Sequence, residues 1–215
     1  MNISFISLGP NCHTAGVLKE LNYKNCSYPF DWILSNLEIV IYNISNDFID
    51  FMDRNNYIYT SNNKITLKNT NIKYLENMFV HKNPIINKED FDYYLRCISR
   101  FKNLKSTDDY KLFVYTSYSN QYLNNNFKNN ISLLKNTLNN WTDKKFYILI
   151  INYIKVNNIN EQHIYNYIIE DQIIILNINI MYDLQIFYSI DKAIYSFFKL
   201  FNPIEEICDK IKNTL

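Results

Sequence analysis

From Lys88 onward the chain alternates helical and extended hydrophobic patterns, and this alternation constrains its fold more than any other feature. Phe91, Tyr94, Leu95, Ile98, Phe101 and Leu104 recur at three- and four-residue spacing, which predicts a helix over 88–105. A strand over 111–115, a helix over 127–141 and a strand over 146–151 follow, then a short helix over 161–169 and a strand over 173–178. Helices over 191–201 and 203–212 close the sequence. Alternation of this kind predicts a mostly parallel sheet flanked by helices on both faces, a three-layer α/β sandwich. No repeat or linker divides it, so residues 1–215 are expected to form a single α/β domain.

Ahead of that region, Ile3 to Leu8 reads as a buried strand stopped by Gly9-Pro10. Asn11 is placed to cap a helix from Cys12 to about Leu21. Ser27-Tyr28-Pro29-Phe30-Asp31-Trp32 is too aromatic for an ordinary loop. A helix is expected over 37–52, a small hairpin over 57–60 and 65–68, and a short strand over 74–81.

Twenty-two basic residues face 21 acidic ones, with no basic stripe, so neither nucleic acid nor an acidic membrane is expected as a partner. No apolar run approaches the roughly 20 residues of a membrane span. The first residues lack a basic region and a cleavage site, so no signal peptide is expected and a cytoplasmic location is the default. Heavy use of Asn, Ile, Lys and Tyr points to an AT-rich genome, such as that of a giant virus or a protist. Against that bias glycine occurs twice, as Gly9 and Gly16, both within a few residues of Cys12. Glycine persists where a tight turn or a close approach requires it. The four cysteines form no metal-like or CxxC spacing, so neither metal nor other cofactor is expected.

Cys12 stands at the start of a helix that follows a strand, where the carboxyl ends of an α/β sheet hold their ligands. A helix N-terminus favours the thiolate, and its backbone N–H groups can stabilise an oxyanion. A buried core cysteine is the other reading. Of three histidines, His13 is adjacent to Cys12 and neighbours one apart on a helix do not face each other. His163 falls in a polar segment. His81 follows Met78-Phe79-Val80 and is the best candidate base. Asp31, between two aromatics, can orient an imidazole or tie its own loop by accepting backbone N–H bonds. Arg96 and Arg100, four apart on one helix, suit anion contacts or surface salt bridges. With Gly9, Asn11 and Trp32 they are the candidate substrate contacts. Cys26, Cys97 and Cys208 read as structural.

Three blocks stand out together: Ile6-Ser7-Leu8-Gly9-Pro10-Asn11-Cys12; Ser27-Tyr28-Pro29-Phe30-Asp31-Trp32 with Ser35; and Phe79-Val80-His81 followed by Tyr94 to Phe101 and Lys111 to Tyr115. They resemble the DUF1796 family, described as papain-like cysteine peptidases and found in bacteria and large DNA viruses. The resemblance implies Cys12 as nucleophile and His81 as base. It departs where Cys97 and Lys82 stand in place of a further arginine or histidine. A papain-type protease pairs a helical lobe with a β-barrel lobe, whereas this chain alternates β and α. A nucleophile after the first strand looks more like SGNH-type esterases and acyltransferases, with Cys in place of Ser. The expected substrate is a peptide or a small acyl or sugar compound. Hydrolase, esterase or acyl- or glycosyl-group transferase, and non-enzymatic binding module all stay open.

Overall fold

The computed structural model describes residues 2–60, 63–68, 77–118, 124–156, 165–180 and 187–213. In chain order the strands and α-helices are β1 (Ile3–Ser7), α1 (Cys12–Glu20), α2 (Leu37–Ser45), α3 (Ile49–Met52), β2 (Tyr57–Tyr59) and β3 (Ile65–Leu67). They continue with α4 (Lys88–Asn103), β4 (Tyr110–Tyr118), α5 (Asn125–Trp141), β5 (Phe146–Lys155), β6 (Tyr165–Glu170), β7 (Ile173–Ile180), α6 (Phe187–Phe201) and α7 (Pro203–Asn213). A five-stranded sheet has the order β1-β4-β5-β7-β6, with every pairing parallel except β6 to β7. β2 and β3 form a separate antiparallel hairpin. The architecture is therefore the expected α/β sandwich with a mostly parallel sheet.

Alternate residues of each strand feed two different cores, as the period of two requires. Ile6, Phe113, Tyr115, Ile148 and Ile150 point toward α2, α4 and α5, into a core rich in rings: Phe30, Phe48, Phe51, Phe79, Phe101 and Trp141. Phe5, Leu112, Val114, Leu149 and Ile151 point the other way, onto Val17 and Leu18 of α1, Ile194 and Phe198 of α6, and Ile204, Ile207 and Ile211 of α7. The central strands are buried on both faces, which is why they read as continuous apolar runs.

Three local expectations need correction. The helix expected over 161–169 is wrong where it is described, because Tyr165–Glu170 is an edge strand. Its Tyr-Asn-Tyr-Ile-Ile sequence is β-prone, and Asp171, with φ of 56°, turns it directly into β7. The long helix over 37–52 breaks at Asp47 and Phe48, both left-handed (φ 54° and 60°), so that α2 and α3 are separate. Of the strand expected over 74–81, residues 77–81 are irregular, and 74–76 lie outside the described residues. His163 also lies outside them.

Candidate active site

Cys12 is the first residue of α1 and is half-buried. Asn11 caps the helix as expected, its side chain accepting from the His13 N–H at 3.0 Å. Gly9 before it has φ of +104°, a conformation L side chains rarely adopt, and is joined to Pro10 by a cis peptide. A Cβ at Gly9 would lie 2.1 Å from Ser35 Oγ. The glycine thus lets Ser35 press against the turn, where its Oγ donates to Leu8 O (3.1 Å) and its N–H to Pro10 O (2.8 Å).

Ser35 belongs to the segment that begins with the aromatic loop, and this segment is a bracket. At its middle, the Leu34 N–H donates to Met78 O at 2.9 Å, and the Phe79 N–H donates to Ile65 O of the hairpin. The Trp32 and His81 rings meet edge to face with centroids 6.3 Å apart. Trp32 is half-buried and His81 exposed. The bracket thus touches the Cys12 turn at one end and the His81 segment at the other.

Asp31 is fully buried. Its Oδ2 accepts from the Tyr28 N–H at 2.7 Å and forms an ion pair with Lys24, whose side chain is 5% exposed. That is the loop-tying arrangement. Its Oδ1 is buried with no hydrogen-bond partner. Burial pushes the carboxyl up to about 6, against the Lys24 ammonium and the Tyr28 N–H, which pull it down. Arg96 and Arg100 are exposed on α4, and Arg100 donates to Ser27 O at 3.3 Å, so it meets the loop's backbone.

His13, by contrast, is buried. Its Nε2 lies 3.0 Å from Tyr153 Oη, and its ring stacks on Tyr195 of α6 at 6.1 Å with Tyr118 beside it. Gly16 serves this contact: a Cβ there would lie 2.6 Å from Tyr195 Oη. Thr14 Oγ1 donates to Gly9 O (2.6 Å) and meets Thr116 Oγ1 (2.8 Å), which fastens α1 to the end of β4. Lys24, Tyr153 and Tyr195 carry no motif of their own, and Ser35 enters only as the tail of the Ser27–Trp32 block. The cost of burying Asp31 without a partner is the one signal that a partner such as Lys24 had to exist, and it does not say which residue.

The buried Cys97 and Cys208 thiols are both pushed up by desolvation. Among the described residues no cluster of three or more His, Cys, Asp or Glu is placed to hold a metal ion. No described helix is long and apolar enough to cross a membrane.

A family model described as "Putative papain-like cysteine peptidase (DUF1796)" matches residues 3–157, and the chain belongs to that family. No curated protein and no solved structure matches.

Proposed function

With membership of that peptidase family as the premise, we propose that Cys12 is the nucleophile of a thiol-dependent hydrolase acting on a carbonyl substrate, with His81 as its acid–base partner. The observation that carries this reading is the position of Cys12. It is half-exposed at the first turn of α1, just past the carboxyl end of β1, on a turn braced by the segment that also touches His81. Cys97 and Cys208 are buried and His13 is committed to Tyr153, so neither competes for the role.

In this mechanism the thiolate adds to the carbonyl carbon, and the oxyanion is held by N–H groups at the start of α1. Collapse expels the leaving group, which takes its proton from the His81 imidazolium. Water, deprotonated by His81, then attacks the acyl-thioester and returns the thiol. Asp31 acts at one remove: with Lys24 it fixes the loop that carries Trp32 against His81. The parallel sheet favours a strand-turn-helix acyl-transfer site over the two-lobed papain geometry. An acceptor other than water therefore fits the same chemistry, as in an esterase or a transferase.

The test is alkylation by iodoacetamide followed by peptide mapping. Cys12 is expected to react at least tenfold faster than Cys26 near neutral pH, and His81→Ala to remove most of that advantage. Equal rates at Cys12 and Cys26 would overturn the proposal.

A further inference from the structure

A cavity of about 270 Å³ opens between the start of α2 and the start of α5, over Tyr115 of β4. Two of its lining residues are chain neighbours of residues bonded to the Cys12 turn. Asn36 in its wall follows Ser35, whose N–H is bonded to Pro10 O, and Tyr115 in its floor precedes Thr116, whose N–H is bonded to Gly9 O.

Its lining combines aromatic rings and polar groups, with Leu37 beside them. The floor is aromatic, with the Tyr115 and Phe127 rings at 6.1 Å and inclined by 49°. The walls carry the carboxamides of Asn36, Asn124, Asn126 and Asn130 and the carboxylate of Glu38. Asn36 and Asn124 are helix caps, each with its Oδ1 turned inward to accept from Ile39 N–H and Asn126 N–H. Their caps therefore leave the Nδ2 donors unused, and Glu38, whose Oε1 accepts from Asn130 Nδ2 at 3.5 Å, offers its second oxygen as an acceptor beside them.

This chemistry selects a ligand class. Hydroxyl groups need donors and acceptors together, and the faces of a sugar ring present C–H groups that pack on aromatic rings. The described lining residues include no lysine, arginine or histidine. Each cap takes one first-turn N–H of its helix, and the Glu38 carboxylate in the wall offsets the pull of the two helix N-termini on an anion. The volume falls just below the roughly 300–1,000 Å³ of pockets for drug-sized ligands, which suits one ring rather than an oligosaccharide.

We propose that this cavity binds a single neutral sugar ring, the sugar unit of the substrate presented to Cys12. Its role as a substrate site rests on the Cys12 reading; the binding itself does not. The experiment titrates methyl glycosides of glucose, galactose, mannose and N-acetylglucosamine into protein labelled at tyrosine and phenylalanine, followed by NMR, with glycerol and inorganic phosphate as controls. At least one glycoside is expected to shift the Tyr115 and Phe127 resonances saturably, while glycerol and phosphate do not. Asn36→Asp and Asn124→Asp keep the cap acceptor but lose the donors, so both should fold normally by circular dichroism and bind at least tenfold more weakly. Phe127→Leu should weaken binding through the floor alone. Cys12→Ala should bind the glycoside as the wild type does, so an inert Cys12 with intact binding sinks only the catalytic reading. Absence of any glycoside shift, shifts produced by phosphate instead, or unchanged binding by both Asp variants would overturn the proposal.

Discussion

The two faces of the sheet hold the Cys12 turn in different ways. Toward α2, α4 and α5 the core is built from rings, and the turn is met by a loop: Ser35 lies against Gly9, and the bracket behind it is tied by a buried ion pair. Toward α6 and α7 the core is mostly aliphatic, and the contacts are helix against helix, where Tyr195 lies over Gly16, and helix against sheet, where His13 is tied to Tyr153 of β5. The loop side is fixed by backbone geometry and a buried charge, which have no slack. The helix side is fixed by the far ends of tyrosines, which can move. The candidate nucleophile sits on the seam between a rigid wall and a yielding one.

Substitutions of the two glycines are the sharpest comparison. Gly9→Ala places a side chain at a positive φ and against Ser35, and should cost about 3–6 kcal/mol from backbone strain and overpacking together. Urea denaturation would measure it. Loss of comparable size from Gly16→Ala would erase the distinction between the faces.

Next in size is Lys24→Met, which leaves Asp31 buried without its cation and should cost about 3 kcal/mol at pH 7. The pH dependence has a definite sign. The Asp31 carboxyl is pushed up to about 6 from its ordinary 3.8, so between those values the folded protein binds a proton that the unfolded chain releases. The stability contribution of this group is therefore present at low pH and falls as pH rises through about 6. In Lys24→Met the carboxyl moves higher still, so the penalty should shrink when unfolding is measured at pH 5 rather than pH 7. A penalty independent of pH would show that the lysine acts through packing alone.

On the yielding side, Tyr153→Phe removes the His13 hydrogen bond and should cost about 1–2 kcal/mol, with little change in the alkylation rate of Cys12. A large fall in that rate would give His13 a part in the chemistry. The smallest effect is expected for Gly16→Ala. Displacing the Tyr195 hydroxyl is offset by the roughly 0.5–1 kcal/mol gained by replacing glycine within a helix, for a net change under about 1 kcal/mol.

Sequence reasoning reached the elements whose signals are local. The buried strands, the Asn11 cap and the apolar stripe of α4 all follow from periodicity and capping, and they stand where expected. It failed where a longer-range partner decides. Tyr165–Glu170 is a strand because β7 lies two residues ahead to pair with it. The break at Asp47–Phe48 drops the Phe48 ring into the aromatic core, a reward that no helix pattern reveals. The glycines were legible as points of close approach, but the approaching groups, Ser35 and Tyr195, lie 26 and 179 residues away in sequence. Cys12 and His81 were candidates from their local settings, whereas the bracket that lies between their segments depends on tertiary hydrogen bonds and left no local signal.

The most direct test of the central claim is the pH profile of Cys12 alkylation, measured site by site in the wild type and in His81→Ala. An activated thiol should label well below the ordinary cysteine pKa of about 8.5, and His81→Ala should move its profile back toward that of Cys26. If Cys12 follows Cys26 across the whole range in both proteins, Cys12 is not an activated nucleophile and the account fails.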